Sequence, residues 1–301
     1  QTYVVWSIPG AKGDKTRANI RFAIDDGKGG FTPAHTLNEV KDAARFPIIE
    51  VAPDGSLLIA WIDRRIDNPQ PRQLYLMRLA PNGQAIGENY KVGEGLCECC
   101  KLGISFADGG NTIYMVDREV DRNKIRNHVM RMSVDGGRTF SSPVEISNDG
   151  WQVPSCPHSG PSLGRDSRGW LHVSWFTLGR SEQEAGIYYS VSKDSGKSFA
   201  PRQLVQANTA PEILYNNIAV GSDDTVYLAW SNLDANNKAQ IYVRRLGPDG
   251  RTWSAIQQVS NAKGNAGRPT LALGDDRLHI AWTETDGEES RVILRTALVA
   301  N

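Results

Sequence analysis

Along most of the chain, apolar and polar residues alternate with a period of two, the pattern of strands that bury one face. The alternation comes in recurring blocks. "RFPIIEVAPDGSLLIAWIDRR", "CCKLGISFADGGNTIYMVDRE", "SGPSLGRDSRGWLHVSWFTLG", "LYNNIAVGSDDTVYLAWSNLD" and "GRPTLALGDDRLHIAWTETD" share one plan. Each sets a short run of small and apolar residues before a Gly/Asp turn, then a second alternating run. In four blocks that second run reaches a tryptophan (Trp61, Trp175, Trp230 or Trp282), and Met115 takes its place in the other. A further strand pair follows, as in "HVMRMSVDGGRTFSSPVEIS" and "IYYSVSKDSGKSFAPRQLVQ". The N-terminal "NIRFAIDDGKGGFTPAHTL" matches this outer half, and "RVILRTALV" begins another.

Equivalent starting points at Phe46, Cys100, Gly160, Tyr215 and Arg268 follow one another at 54, 60, 55 and 53 residues. A repeat of this length predicts a modular β architecture. Five units and an N-terminal partial unit predict six four-stranded antiparallel sheets, the last closed by strands from both chain ends. That is an all-β, six-bladed β-propeller forming a single domain over residues 1–301, whose radial repetition leaves only short, protected edges. Long helices have no support in the pattern.

Two turns carry a sharper signature. "SVDGGRTF" (Ser133 to Phe140) and "SKDSGKSF" (Ser192 to Phe199) both fit S-x-D-x-G-x-[ST]-F, with degenerate copies near Trp253 and Phe31. They resemble the Asp box, or BNR repeat, of the sialidase superfamily, and they sit where that family places it, between the two outer strands of a blade. The resemblance covers essentially the whole chain and implies a sialidase-like propeller. The box is structural, so it speaks for fold and not for activity.

Composition narrows the function classes. Lys+Arg and Asp+Glu both number 34 among 301 residues, so no basic field draws nucleic acid. No apolar run approaches the roughly 18–20 residues of a membrane span. The chain starts at "QTYVVWS" without Met, which reads as a mature periplasmic or secreted protein after signal-peptide removal. In such a compartment four cysteines imply by default two disulfides.

In a propeller the residues entering each innermost strand, and those leaving the next, meet at one end of the disc. The entrances are Arg45 and Phe46, Cys99 and Cys100, His158 and Ser159, Leu214 and Tyr215, and Gly267 and Arg268; the exits include Asp63, Asp117, Arg118, Asn232 and Glu284. This brings Cys97, Cys99, Cys100, Cys156 and His158 into one expected cluster. Three readings stand: two disulfides, a metal site, or a free nucleophilic cysteine. Thiolates with an imidazole suit copper or zinc. His172 and His279 occupy matching strand positions and read as packing residues, and His35 and His128 receive no role.

Carried over residue by residue, the sialidase resemblance is partial. "RFP" at Arg45 loosely matches an R-I-P tripeptide whose arginine clamps a sugar carboxylate. Asp63 or Asp67 would supply an acid/base group, and Tyr215 or Arg268 would reach the same centre. A full arginine triad and a tyrosine–glutamate pair are not found. The chain also resembles secreted bacterial sialidase-like proteins with C-x-C-C and C-P-x-x-G-P segments, a resemblance that implies no reaction.

The leading expectation is an exported propeller whose Cys97, Cys99, Cys100, Cys156 and His158 bind a transition metal. Copper is expected there, with zinc as the alternative, for oxidation of a small substrate at the propeller mouth. Arg45, Asp63, Asp117, Tyr215 and Arg268 are its accompanying catalytic candidates. The alternatives are a sialidase-type glycoside hydrolase, or a non-catalytic copper- or glycan-binding propeller.

Overall fold

The computed structural model describes residues 1–10, 18–65, 72–97, 100–153, 158–208, 214–274 and 276–298. The fold is all-β, as the period-two pattern requires. The only helical turns among the described residues are two three-residue segments, Asp108–Gly110 and Glu182–Glu184. Two compact units divide the chain: Gln1–Pro143 with Val153–His158, and Val144–Gln152 with Ser159–Asn301.

In the first unit β1 (Tyr3–Pro9), β2 (Ala18–Ile24) and β3 (His35–Thr36) form an antiparallel sheet in that order. A meander follows through β4 (Ala44–Val51), β5 (Leu57–Asp63), β6 (Arg72–Leu79) and β7 (Ala85–Leu96). Next come β8 (Gly103–Ala107), β9 (Thr112–Val120) and β10 (Ile125–Ser133), paired around β9. The second unit holds β11 (Val144–Gln152) and a four-stranded sheet of β12 (Ser162–Arg165), β13 (Leu171–Thr177), β14 (Gly186–Ser192) and β15 (Gln203–Ala207). A second four-stranded sheet comprises β16 (Asn216–Val220), β17 (Val226–Leu233), β18 (Ala239–Leu246) and β19 (Gln257–Gln258). The last sheet is β20 (Asn265–Gly274), β21 (Arg277–Asp286) and β22 (Glu289–Leu298).

This corrects the expectation of six separate four-stranded blades. Only β12–β15 and β16–β19 are such sheets among the described residues. The β4–β7 meander is fused to its successor by the pair Leu96↔Glu119, because the twelve-residue β7 bends through three register shifts and runs on to reach β9. Nor, among the described residues, do the chain ends share a sheet. Tyr3–Pro9 takes its seven pairs from Ala18–Ile24, a local hairpin partner that needs no long loop closure.

Deep burial is concentrated in the second strands of the repeats, joined in one repeat by the third strand β14. β5 and β13 are buried along their whole length, so they read as nearly continuous apolar runs. Their tryptophans anchor the cores: Trp61 packs with Phe22, Ile59 and Leu79, and Trp282 with Ile241 and Ile280. A buried indole N–H still needs an acceptor. Trp61 donates to Asp63, Trp175 to Asp149 and Trp282 to Glu284, each at 3.0 Å. An arginine then neutralises each carboxylate: Arg65, Arg202 and Arg291 respectively.

The two signature turns are closed by their own side chains. Ser133 Oγ donates to Asp135 Oδ1 at 2.8 Å and accepts from the Gly137 amide at 2.9 Å, while Asp135 accepts from the Thr139 amide and hydroxyl at 3.0 and 2.6 Å. Ser192, Asp194, Gly196 and Ser198 repeat that arrangement, and Asp249 is held likewise by Thr252. Hydrogen bonds to the ionised form, first from Thr139, Ser198 and Thr252, lower each carboxyl from 3.8 to about 2. A folded-state value below the unfolded one stabilises the fold above about pH 4, and that contribution disappears as pH falls toward 2. Replacing Asp135, Asp194 and Asp249 together by Asn is therefore expected to flatten the loss of melting temperature between pH 4 and 2. An unchanged acid limb would show that these turns do not carry it.

Candidate functional site at the strand entrances

In the first unit the entrance to β4 is bent. Pairing with β5 slips between Arg45 and Ile48, and Phe46 takes a φ of 53°, a left-handed conformation costly for a bulky side chain. Bulges of this kind re-aim side chains. Here the Phe46 ring is turned onto the buried Cys97 and Cys100, beside Val120. The Arg45 guanidinium lies 4.7 Å from the same ring. His158, also left-handed at φ 53° and exposed, meets it edge-on at 5.8 Å. Phe46 thus joins His158 to Cys97 and Cys100. Cys99 and Cys156 lie outside the described residues, as does Asp67.

The sulfurs of Cys97 and Cys100 are 2.8 Å apart. Arg118, 1% exposed, donates from Nη1 to Cys100 Sγ at 3.5 Å and from Nε to His128 Nε2 at 3.1 Å. Burial pushes the Cys100 thiol well above its ordinary range. Metal ligation needs thiolates. Among the described residues no three His, Cys, Asp or Glu side chains gather to hold an ion, and a guanidinium rather than a third ligand faces Cys100. The described members of the expected set, Cys97, Cys100 and His158, do not by themselves make a copper or zinc centre.

Arg118 stands among the strand exits read from the sequence but not among the candidate site residues, and His128 was given no role. The signal for Arg118 was a charged Asp-Arg pair ending an apolar strand. His128, in an alternating outer strand, carried none.

Asp63 and Asp117 are sealed. Asp63, 1% exposed, accepts from Trp61 and from the Arg65 amide, Nε and Nη2 at 2.8–3.0 Å. Asp117 is fully buried and pairs with Arg131, which also pairs with Glu119 and donates to the Glu94 carbonyl at 3.3 Å. Gly93 makes room for this arginine, since a Cβ there would stand 2.5 Å from Arg131 Nε. Burial lifts the Asp117 carboxyl from 3.8 to about 6 against the pull of Arg131. Neither carboxylate faces solvent, so both order the first unit from within.

In the second unit the entrance to β20 repeats the bent geometry. Pairing with β21 slips between Gly267 and Thr270, and Arg268 has a φ of 57°. Its guanidinium stands 5.0 Å from the Tyr215 ring centroid. Tyr215 is fixed by backbone and side-chain bonds with Ser231 at 3.0 and 3.2 Å. Both residues line a cavity of about 260 Å³ whose polar wall comes from Ser231, Asn232, Asn265 and Thr283. No carboxylate is among the described lining residues. The cavity therefore offers one exposed cation, one aromatic face and a rim of hydroxyls and amides.

No protein-family profile matches the chain, and no curated protein matches it in sequence. Solved structures do resemble it. A protein of unknown function from Dyadobacter fermentans aligns with a TM-score of 0.66 at 16% identity, over 98% of this chain and 90% of that one. The Hadza microbial sialidase Hz136 aligns with a TM-score of 0.60 at 13% identity, over 99% and 66%. An ulvan lyase, a polysaccharide lyase solved bound to a GlcA(1-4)Rha3S unit, aligns with a TM-score of 0.61 at 12% identity, over 98% and 78%. At these identities the likeness is one of fold: an antiparallel, propeller-type β architecture shared with sialidases and polysaccharide lyases.

Proposed function

We propose that the chain is a carbohydrate-active protein of the glycoside hydrolase or lyase type, which takes an acidic glycan at the Tyr215/Arg268 entrance. The observation that carries this reading is Arg268 poised beside Tyr215 over a cavity rimmed by Asn232, Asn265, Ser231 and Thr283. A guanidinium fork matches a carboxylate or sulfate. Tyr215 gives a sugar ring an apolar face, and the amides and hydroxyls match its hydroxyl groups. The fold likeness supports the same class over copper oxidation, for which the described residues supply no ligand set. A second reading, glycan binding without cleavage, is favoured by the lack of a lining carboxylate among the described residues.

Calorimetric titration with a sialoside, a glucuronate-containing oligosaccharide and their methyl esters tests the proposal. Binding of an acid, weakened by esterification, is expected. Absence of binding, or equal affinity for acid and ester, would overturn it.

A further inference from the structure

Two sulfurs in contact beneath a strained residue have a chemistry that glycan recognition does not use. Cys97 and Cys100 are each 2% exposed, and their Sγ atoms stand 2.8 Å apart. A disulfide requires about 2.05 Å, so closure asks for less than ~1 Å of movement, within reach of side-chain rotation. The Cys97 amide is held at 2.7 Å by the Arg118 carbonyl, and the Arg118 guanidinium approaches Cys100. Both partners are thereby fixed on one strand, β9. Two intervening residues also spare this pair the unusual backbone that a bond between adjacent cysteines demands.

We infer that Cys97 and Cys100 close into a disulfide beneath the Phe46 ring, and that this bond holds the bent β4 entrance in place. The oxidant is a second disulfide, RSSR. One cysteine, as its thiolate, attacks RSSR and releases one RSH; the other displaces a second RSH from the mixed disulfide. Two S–H bonds are lost, one protein S–S bond forms, and RSSR is reduced to two RSH. Because both sulfurs are buried in the native unit, the exchange belongs to folding, and the finished bond is shielded from reductant. Its consequence falls on Phe46, whose ring rests on the pair and also meets Arg45 and His158. The inference does not depend on the glycan reading.

The test begins with Cys99→Ser/Cys156→Ser, which keeps only this pair, folded in reduced and oxidised glutathione. The expected product has no thiol titratable in denaturant and a mass lower by two hydrogens than its reduced form. Adding Cys100→Ser leaves one thiol. Two thiols in the parent variant, or disulfide-linked dimers, overturn the inference. Should that variant fail to fold, wild-type protein decides by partial reduction, alkylation and fragment mapping. A Cys97–Cys100 link supports the inference, and a bond from either residue to Cys99 or Cys156 overturns it. Amide exchange over Arg45–Ile48 is expected to speed up about tenfold once the bond is reduced. Unchanged exchange would overturn the claimed effect on the entrance.

Discussion

Arg131→Ala is expected to destabilise the fold by about 3–5 kcal/mol at neutral pH, the cost of leaving a buried carboxylate without its partner. That is a large share of the roughly 5–15 kcal/mol that holds a typical domain together. Asp117 is fully buried, and Arg131 is its charge partner. The loss should depend on pH in a definite direction. Burial already holds Asp117 at about 6, and removing the guanidinium raises it further. A folded-state value above the unfolded one favours the fold while the carboxyl is protonated, and that advantage vanishes as pH rises through the folded value. The variant should therefore lose less stability at pH 5 than at pH 8. Adding Asp117→Asn should restore much of the difference at pH 8, because no buried charge then remains. Urea unfolding at both pH values measures this; an equal loss at the two, or one under about 1 kcal/mol, would contradict the role given to the pair.

Arg268→Ala is expected to weaken binding of an acidic glycan about 10- to 100-fold, the range for a hydrogen-bonded charged group. Affinity for the corresponding ester should change little, because the ester offers no charge to pair. Arg268→Lys restores charge without the planar fork and should recover only part of the loss. Arg268 is exposed, so global stability should stay close to that of the unaltered protein. Equal weakening for acid and ester would assign Arg268 to cavity shape instead of charge recognition.

Much of the fold was legible because it rests on local signals. Strand alternation, Gly/Asp turns and the Ser/Asp/Thr turn pattern are written in neighbouring residues, and the structure places strands where they predict. The joins between sheets were not legible. Nothing in "GENYKVGEGL" announces that β7 bends onto Glu119, and the pairing of Tyr3–Pro9 with β2 competes with any closure by chain ends. The tryptophan–carboxylate bonds were half visible: Trp61 and Trp282 find acceptors two residues on, whereas Trp175 takes Asp149 from another strand.

The candidate site divides along the same line. The repeat brought Tyr215 to Arg268, and Cys97, Cys100 and His158 to Phe46. It did not show that Asp63 and Asp117, both named as candidates, would be buried and paired with arginines. Positive φ at Phe46, His158 and Arg268 has no sequence mark in non-glycine residues. The prolines after Phe46 and Arg268 hinted only at a break in the strand.

Acidic-sugar recognition by the Arg268 guanidinium is the claim on which this account rests, and product analysis alongside binding tests it most directly. Protein and its Arg268→Ala variant are incubated with sialosides and glucuronate-containing polysaccharides, and both affinity and new chain ends are recorded by mass spectrometry. The account predicts that at least one acidic glycan is bound and cleaved, with both signals falling at least tenfold in the variant. Binding without cleavage would identify the non-catalytic form of the proposal. An acidic glycan bound equally well by the two proteins, or none bound by either, would contradict it.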